Sequence, residues 1–192
     1  MSKVITFSLK FPSYHIECGK PTYFVEQILN HLKIEYLDDN YLQKLLILND
    51  KNIQLGKLSF EDVETFFIGL KDVQGNKLHT IRGGNRFKVN EMFSPRVWSG
   101  KPYKSPQIIF WDDIKIENVW DFEISPIQQM LPLDPNTVIS VNHRYLYTEI
   151  DTEKLRELAN NDGLKLSEML RWFQYPKPFT GSIICWSNKL KY

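Results

Sequence analysis

Apolar and polar residues alternate over Val4–Leu9, with Ile5, Phe7 and Leu9 on one side and Val4, Thr6 and Ser8 on the other. That period predicts a half-buried strand. Phe11-Pro12 ends it, and 12–19 has room for one turn of helix before the break at Gly19-Lys20-Pro21. The period then changes. Val25, Ile28, Leu29 and Leu32 fall at helical spacing behind Thr22, a candidate N-cap. Asp38 or Asp39 can cap a second helix carrying Leu42, Leu45 and Leu46, although Leu45–Leu48 also reads as a short buried strand. Ser59 precedes a third helix, with Glu61 and Asp62 in its first turn and Val63, Phe66 and Phe67 as its apolar face. Residues 22–72 are therefore expected to form a mainly helical, acidic segment.

After the turn at Gly75-Asn76 the pattern becomes one of short strands: Leu78–Arg82, Met92–Trp98, Gln107–Trp111 and Ile114–Glu123. Gly83-Gly84, Ser99–Pro102 and Asp112-Asp113 supply the turns. Pro126–Pro135 is a proline-bearing connector, and Thr137–Val141 and Tyr145–Ile150 read as two more strands. Asp151 is placed to cap a helix with Leu155, Leu158 and Ala159 on one face, stopped by Gly163. A shorter helix follows over Leu166–Phe173, ended by Pro176 and Pro178, and Phe179–Trp186 closes the chain as a strand. The order predicts one α+β domain over 1–192, a small mixed or antiparallel barrel with flanking helices and a helical insertion at about 22–72.

Bulk properties narrow the class without naming a function. The 192 residues are 42% hydrophobic and 24% charged, ordinary values for a globular chain with a proper core. No run approaches a membrane span, and the alternating N-terminus lacks the apolar stretch of a signal peptide. Cys18 and Cys185 stand at opposite ends, without zinc-like spacing. Two free thiols in a reducing cytoplasm is the simplest expectation, with a single disulfide left open. His15, His31, His79 and His143 are scattered, so neither an intrinsic metal nor another cofactor is expected.

Charge is where the chain departs from the ordinary. Lys77–Lys104 holds Lys77, Arg82, Arg86, Lys88, Arg96, Lys101 and Lys104 against Glu91 alone, a net +6 in a chain whose total is +1. Phe87, Phe93, Trp98 and Tyr103 are threaded between these charges. A basic, aromatic, glycine-punctuated hairpin suits phosphates and flat rings, and equally suits a solvated hairpin whose aromatics are core. The near-zero total argues against strong non-specific DNA binding.

Phe11, Gly75-Asn76-Lys77, Thr80-Ile81-Arg82 and Arg86-Phe87-Lys88-Val89 come in that order, followed by Leu158-Ala159, Asp162-Gly163-Leu164, Trp172 and Phe179–Trp186. The set resembles an ASCH domain, a branch of the PUA-like β-barrel superfamily, including ASCH-like proteins of phages. The resemblance covers the first strand and most of 75–186, but not 22–72. It implies a barrel that binds RNA or a modified nucleoside in a cleft beside a helix. One small bacterial ASCH enzyme removes the acetyl group from acetylated cytidine. It uses a Lys three residues before a Thr, and a Glu just before the second helix. The matching positions are Lys77, Thr80 and Asp162. Asp is one methylene shorter than Glu, and a shortfall of ~1 Å can cost on the order of 100-fold in rate.

Read as chemistry, Thr80 needs a base, and Lys77 can serve only if burial lowers its pKa. Alternation puts Thr80 and Arg82 on one strand face, so Lys77 must sit in the preceding turn to reach Thr80. The bland reading is a solvated Lys, a backbone-bonded Thr and an Asp in the turn that ends a helix. Arg82, Arg86 and Arg96 offer bidentate forks for an anion, or salt bridges to the acidic insertion. Asn85 can meet a base edge or simply serve its turn. Trp98 and Tyr103 can stack a base, Trp98 part-buried beside Val97, while Ser99 and Lys101 belong to an exposed basic loop able to contact a backbone. Trp120, Trp172 and Trp186 read as core. Three functions remain: binding of RNA or a nucleoside, amide hydrolysis through Lys77, Thr80 and Asp162, and binding of a host protein through 22–72. The sequence leaves the oligomeric state open.

Overall fold

The computed structural model describes residues 2–125, 138–142, 144–147, 152–173 and 177–192. The connector 126–135, His143, the end of the strand expected over Tyr145–Ile150 and the cap expected at Asp151 lie outside these residues. The chain is mixed α+β and divides into two compact units. The first comprises 1–11, 20–76 and 92–115, the second 12–19, 77–91 and 116–192.

In the first unit, β1 (Lys3–Thr6) runs parallel to β3 (Met92–Trp98), which pairs antiparallel with β4 (Gln107–Ile109) and β5 (Ile114–Lys115). Phe7, Phe93 and Phe110 form the buried seam of this unit. Phe7 meets Phe110 edge-on at 5.8 Å between ring centroids, a favourable quadrupole arrangement.

Three helices follow β1: α1 (Phe24–His31), α2 (Asp39–Gln54) and α3 (Phe60–Gly69). Asp38 caps α2 by accepting from the Tyr41 N–H, and Ser59 with Asp62 closes a capping box on α3. Thr22 does not cap α1. Its hydroxyl donates to the Ser8 carbonyl, and Tyr23 takes the N-cap position in the left-handed region at φ 58°. Leu45–Leu48 is helical, inside α2. There the fully buried Asn49 amide donates to the Ile109 carbonyl (2.8 Å) and accepts from the Ile109 N–H (2.9 Å), which ties α2 to β4.

The second unit holds a five-stranded antiparallel sheet in the order β2-β9-β6-β7-β8. Its strands are β2 (His79–Gly83), β6 (Asn118–Ile124), β7 (Val138–Val141), β8 (Arg144–Tyr147) and β9 (Phe179–Cys185). Gly181 on β9 is required by close approach, because a Cβ there would collide with the Arg82 carbonyl. Helices α4 (Thr152–Asn161) and α5 (Leu166–Trp172) contact each other. Leu155, Leu158 and Ala159 of α4 are buried, and Gly163 at φ 74° ends the helix with Leu164 N–H returning to the Ala159 carbonyl. Residues 12–19 make successive turns rather than a helix, with His15 N–H bonded to Pro12 O and Cys18 N–H to His15 O, each at 2.9 Å.

Residues 77–104 are not one hairpin. β2 pairs with β9, whereas β3 pairs with β1, β4 and β5. The intervening chain is turned aside by a buried Phe87 and by two backbone bonds, Asn90 N–H to Ile116 O and Ile116 N–H to Glu91 O, both 2.8 Å. The single strand expected over Ile114–Glu123 is likewise two, interrupted at Ile116-Glu117. Neither sheet closes on itself among the described strands.

Candidate functional site

Lys77 lies two residues before β2, where hydrogen bonds hold the backbone of Lys77 and Leu78. The Trp186 indole N–H donates to the Lys77 carbonyl (3.0 Å), and Leu78 bonds Asn161 O (2.7 Å) and receives Trp186 N–H (3.1 Å). These bonds seat Lys77 against the C-terminal end of α4, where the Gly163 turn presents Asp162. The Lys77 ammonium donates to both the backbone carbonyl and the carboxylate of Asp162. Lys77 is 1% exposed and Asp162 5%.

Burial pushes the Lys77 amine down to about 8, with Arg82 acting in the same sense and Asp162 opposing. Burial pushes the Asp162 carboxyl up, against the Lys77 ammonium and Arg82. Both shifts are the signature of charges removed from water and compensated by one another. An amine held near neutrality in this way is chemically suited to exchange a proton.

His79, two residues beyond Lys77 and the first residue of β2, is fully buried with its Nδ1 3.8 Å from the Asp162 carboxylate, too long for a hydrogen bond. Neither ring nitrogen has a partner of hydrogen-bond geometry. Burial and the Lys77 charge drive its pKa well down, with a backbone contact to Leu158 pulling the other way. Tyr192 meets it edge-on at 5.6 Å and accepts from the Asn161 amide at 3.0 Å. Sequence reasoning missed His79 and Tyr192. The available signal was parity, since His79 follows Lys77 by two residues.

Thr80 is 5% exposed on β2 opposite Ile184, and alternation turns its side chain to the other face from His79. Arg82 is half-buried opposite Ser182. The Ser182 hydroxyl is shared between the Gly84 carbonyl (3.1 Å) and Asn85 Oδ1 (3.2 Å), so Asn85 is tied to β9 while remaining exposed. Arg86 is exposed, its guanidinium 5.2 Å from the Phe87 ring centroid.

The other expected ligand residues belong to the first unit. Half-buried Arg96 donates to Ser94 Oγ (3.2 Å) and Gln107 Oε1 (3.5 Å). Trp98 is half-buried beside a fully buried Val97, and its ring is tilted on Tyr103 at 5.4 Å. Tyr103 is 89% exposed and sits at φ 62° in the loop, whose Lys101 is also exposed. Trp98 and Ser99 line a pocket of about 650 Å³ whose walls also include Tyr23, Glu26, Phe66 and Ile108. Of the tryptophans expected as core, Trp186 is buried, while Trp120 and Trp172 are half-buried.

Cys18 and Cys185 are both free thiols, Cys18 exposed and Cys185 buried. Among the described residues, no three His, Cys, Asp or Glu side chains gather where they could hold a metal ion. No described helix is long and apolar enough to cross a membrane. No family model, curated protein or solved structure matches the chain.

Proposed function

We propose that this chain is an ASCH-type domain that binds a nucleoside or a short single-stranded RNA beside the β2 strand and the Asp162 turn. The observation that carries this reading is the meeting of Lys77 with Asp162. These residues are 85 positions apart, and each stands at a working position of the ASCH pattern, Asp162 in place of its Glu. A buried ion pair is weak evidence for stability and better evidence for a specified arrangement. The family assignment, including the PUA-like barrel it implies, is part of this proposal. Arg82 supplies a guanidinium near the pair, and exposed Asn85 and Arg86 continue the same edge. Replacing Arg82 and Arg86 by Ala in the full chain should abolish salt-sensitive binding of a short RNA or nucleoside. Unchanged binding in that variant would refute the proposed surface.

A second reading, hydrolysis of the amide of acetylated cytidine, is favoured by the lowered Lys77 amine. This reading requires Thr80, whose side chain alternation turns to the face away from His79, to come within reach of Lys77. The neutral amine would then take the Thr80 hydroxyl proton, the hydroxyl oxygen attack the acetyl carbonyl, and the acyl group pass to Thr80. The cytidine amine leaves with a proton returned from Lys77, and water then releases acetate. Asp162 orients the lysine. Turnover of acetylcytidine that disappears in Thr80→Ala would support this reading, and turnover that survives would exclude Thr80 as nucleophile.

A further inference from the structure

The pocket of the first unit lies outside the ASCH resemblance over most of its wall, since α1 and α3 belong to 22–72. Rings and aliphatic side chains (Leu9, Tyr23, Phe66, Leu70, Trp98 and Ile108) share its wall with an unusual polar group, the buried Glu26. Glu26 is only 6% exposed, on a helix whose other buried positions are apolar. A carboxylate this buried is costly unless it has donors.

The neighbouring side-chain donors are already committed. Tyr36 and Tyr41 lie within electrostatic reach of Glu26, but each phenol has a single proton. Tyr36 gives its proton to the Lys71 carbonyl (3.1 Å) and Tyr41 to the Phe110 carbonyl (2.7 Å). Burial accordingly raises the Glu26 carboxyl, opposed only by its own backbone N–H and that of Lys71. The second carboxylate of the wall, Asp62, is different. One of its oxygens, Oδ2, already accepts from the Ser59 N–H (3.0 Å) and hydroxyl (2.7 Å) in the α3 cap. Glu61 makes a third carboxylate against two exposed lysines, Lys10 and Lys71.

We propose that this pocket binds a small organic cation, a planar or apolar body carrying an ammonium, amidinium or guanidinium group that pairs with Glu26. Trp98 and Tyr23 place aromatic rings on the wall, a chemistry that suits a cation and a flat body alike. A pocket whose largely apolar lining includes one deeply buried carboxylate has the general form of a small-molecule site. The proposal is independent of the Lys77 reading, because every residue it uses lies in the other unit.

Benzamidine and its neutral isostere benzamide are suitable probes for the full-length chain. The readout is the Trp98 indole N–H resonance, assigned by its loss in Trp98→Phe. Benzamidine should shift this resonance saturably, and benzamide should bind about tenfold or more weakly, the scale of one charge-assisted contact. Glu26→Gln should weaken benzamidine by about the same factor and leave benzamide unchanged. Gly69→Trp should block both probes, since a side chain at Gly69 starts in open space on the pocket wall. If Glu26→Gln does not fold, the comparison of the two probes on the native chain and on Gly69→Trp decides. Equal affinity for the two probes, unaltered benzamidine binding in folded Glu26→Gln, or no saturable shift would each overturn the proposal.

Discussion

The Lys77 ammonium is bonded twice to Asp162, once at the backbone carbonyl and once at the carboxylate, with both residues almost wholly buried. Truncating one partner strands the other's charge away from water. Asp162→Ala should therefore destabilise the chain by about 3–5 kcal/mol, whereas Lys77→Met with Asp162→Leu should return most of that loss. Urea unfolding of the three proteins checks this. A small loss in the single variant would mean that the pair is solvated.

The pair also gives stability a pH dependence with a defined sign. Lys77 has a folded pKa of about 8 against an ordinary 10.5. Between those values the unfolded chain holds more protons at this position, so Lys77's contribution rises with pH over that window and is lost as pH falls through about 8. Asp162, shifted up from 3.8, acts oppositely: its contribution is present in acid and declines as pH rises through its folded value. The two titrate as one coupled system. Comparing urea midpoints of the native chain and Lys77→Met from pH 7.5 to 10.5 should show a rise in the native chain that the variant lacks. Parallel profiles would contradict the assignment.

Asn49 makes a third prediction. Its amide satisfies both the N–H and the carbonyl of Ile109 from inside α2. Asn49→Ala removes these bonds and should cost about 2–3 kcal/mol, on the scale of leaving buried backbone groups unpaired. Hydrogen exchange at the Ile109 amide should accelerate in the same variant. Unchanged protection there would show that the strand does not depend on the helix.

The features legible in the sequence were those fixed by near neighbours. Asp38 and Ser59 cap their helices because an N-cap needs only a backbone N–H two or three residues on. Thr22 carries the same chemistry, yet its hydroxyl is taken by the Ser8 carbonyl, 14 residues away. Non-local pairing was the larger obstacle. Nothing in the spacing of β2 says that it pairs with β9 rather than with β3, and that choice divides the basic 77–104 stretch between two units. Buried polar groups were hidden for a related reason. Asn49 and His79 look like surface residues until tertiary packing encloses them, and Lys77 reached Asp162 in the sequence reading only through a family resemblance.

Nucleoside binding beside β2 is tested most directly by a ¹H–¹⁵N titration of the full chain with acetylcytidine. Saturable shifts are expected at the amides of Lys77–Arg86 and Asp162-Gly163, lost together in the variant carrying Arg82→Ala and Arg86→Ala. Shifts absent from those amides, or confined to Trp98 and the α1 and α3 helices, would contradict binding beside β2.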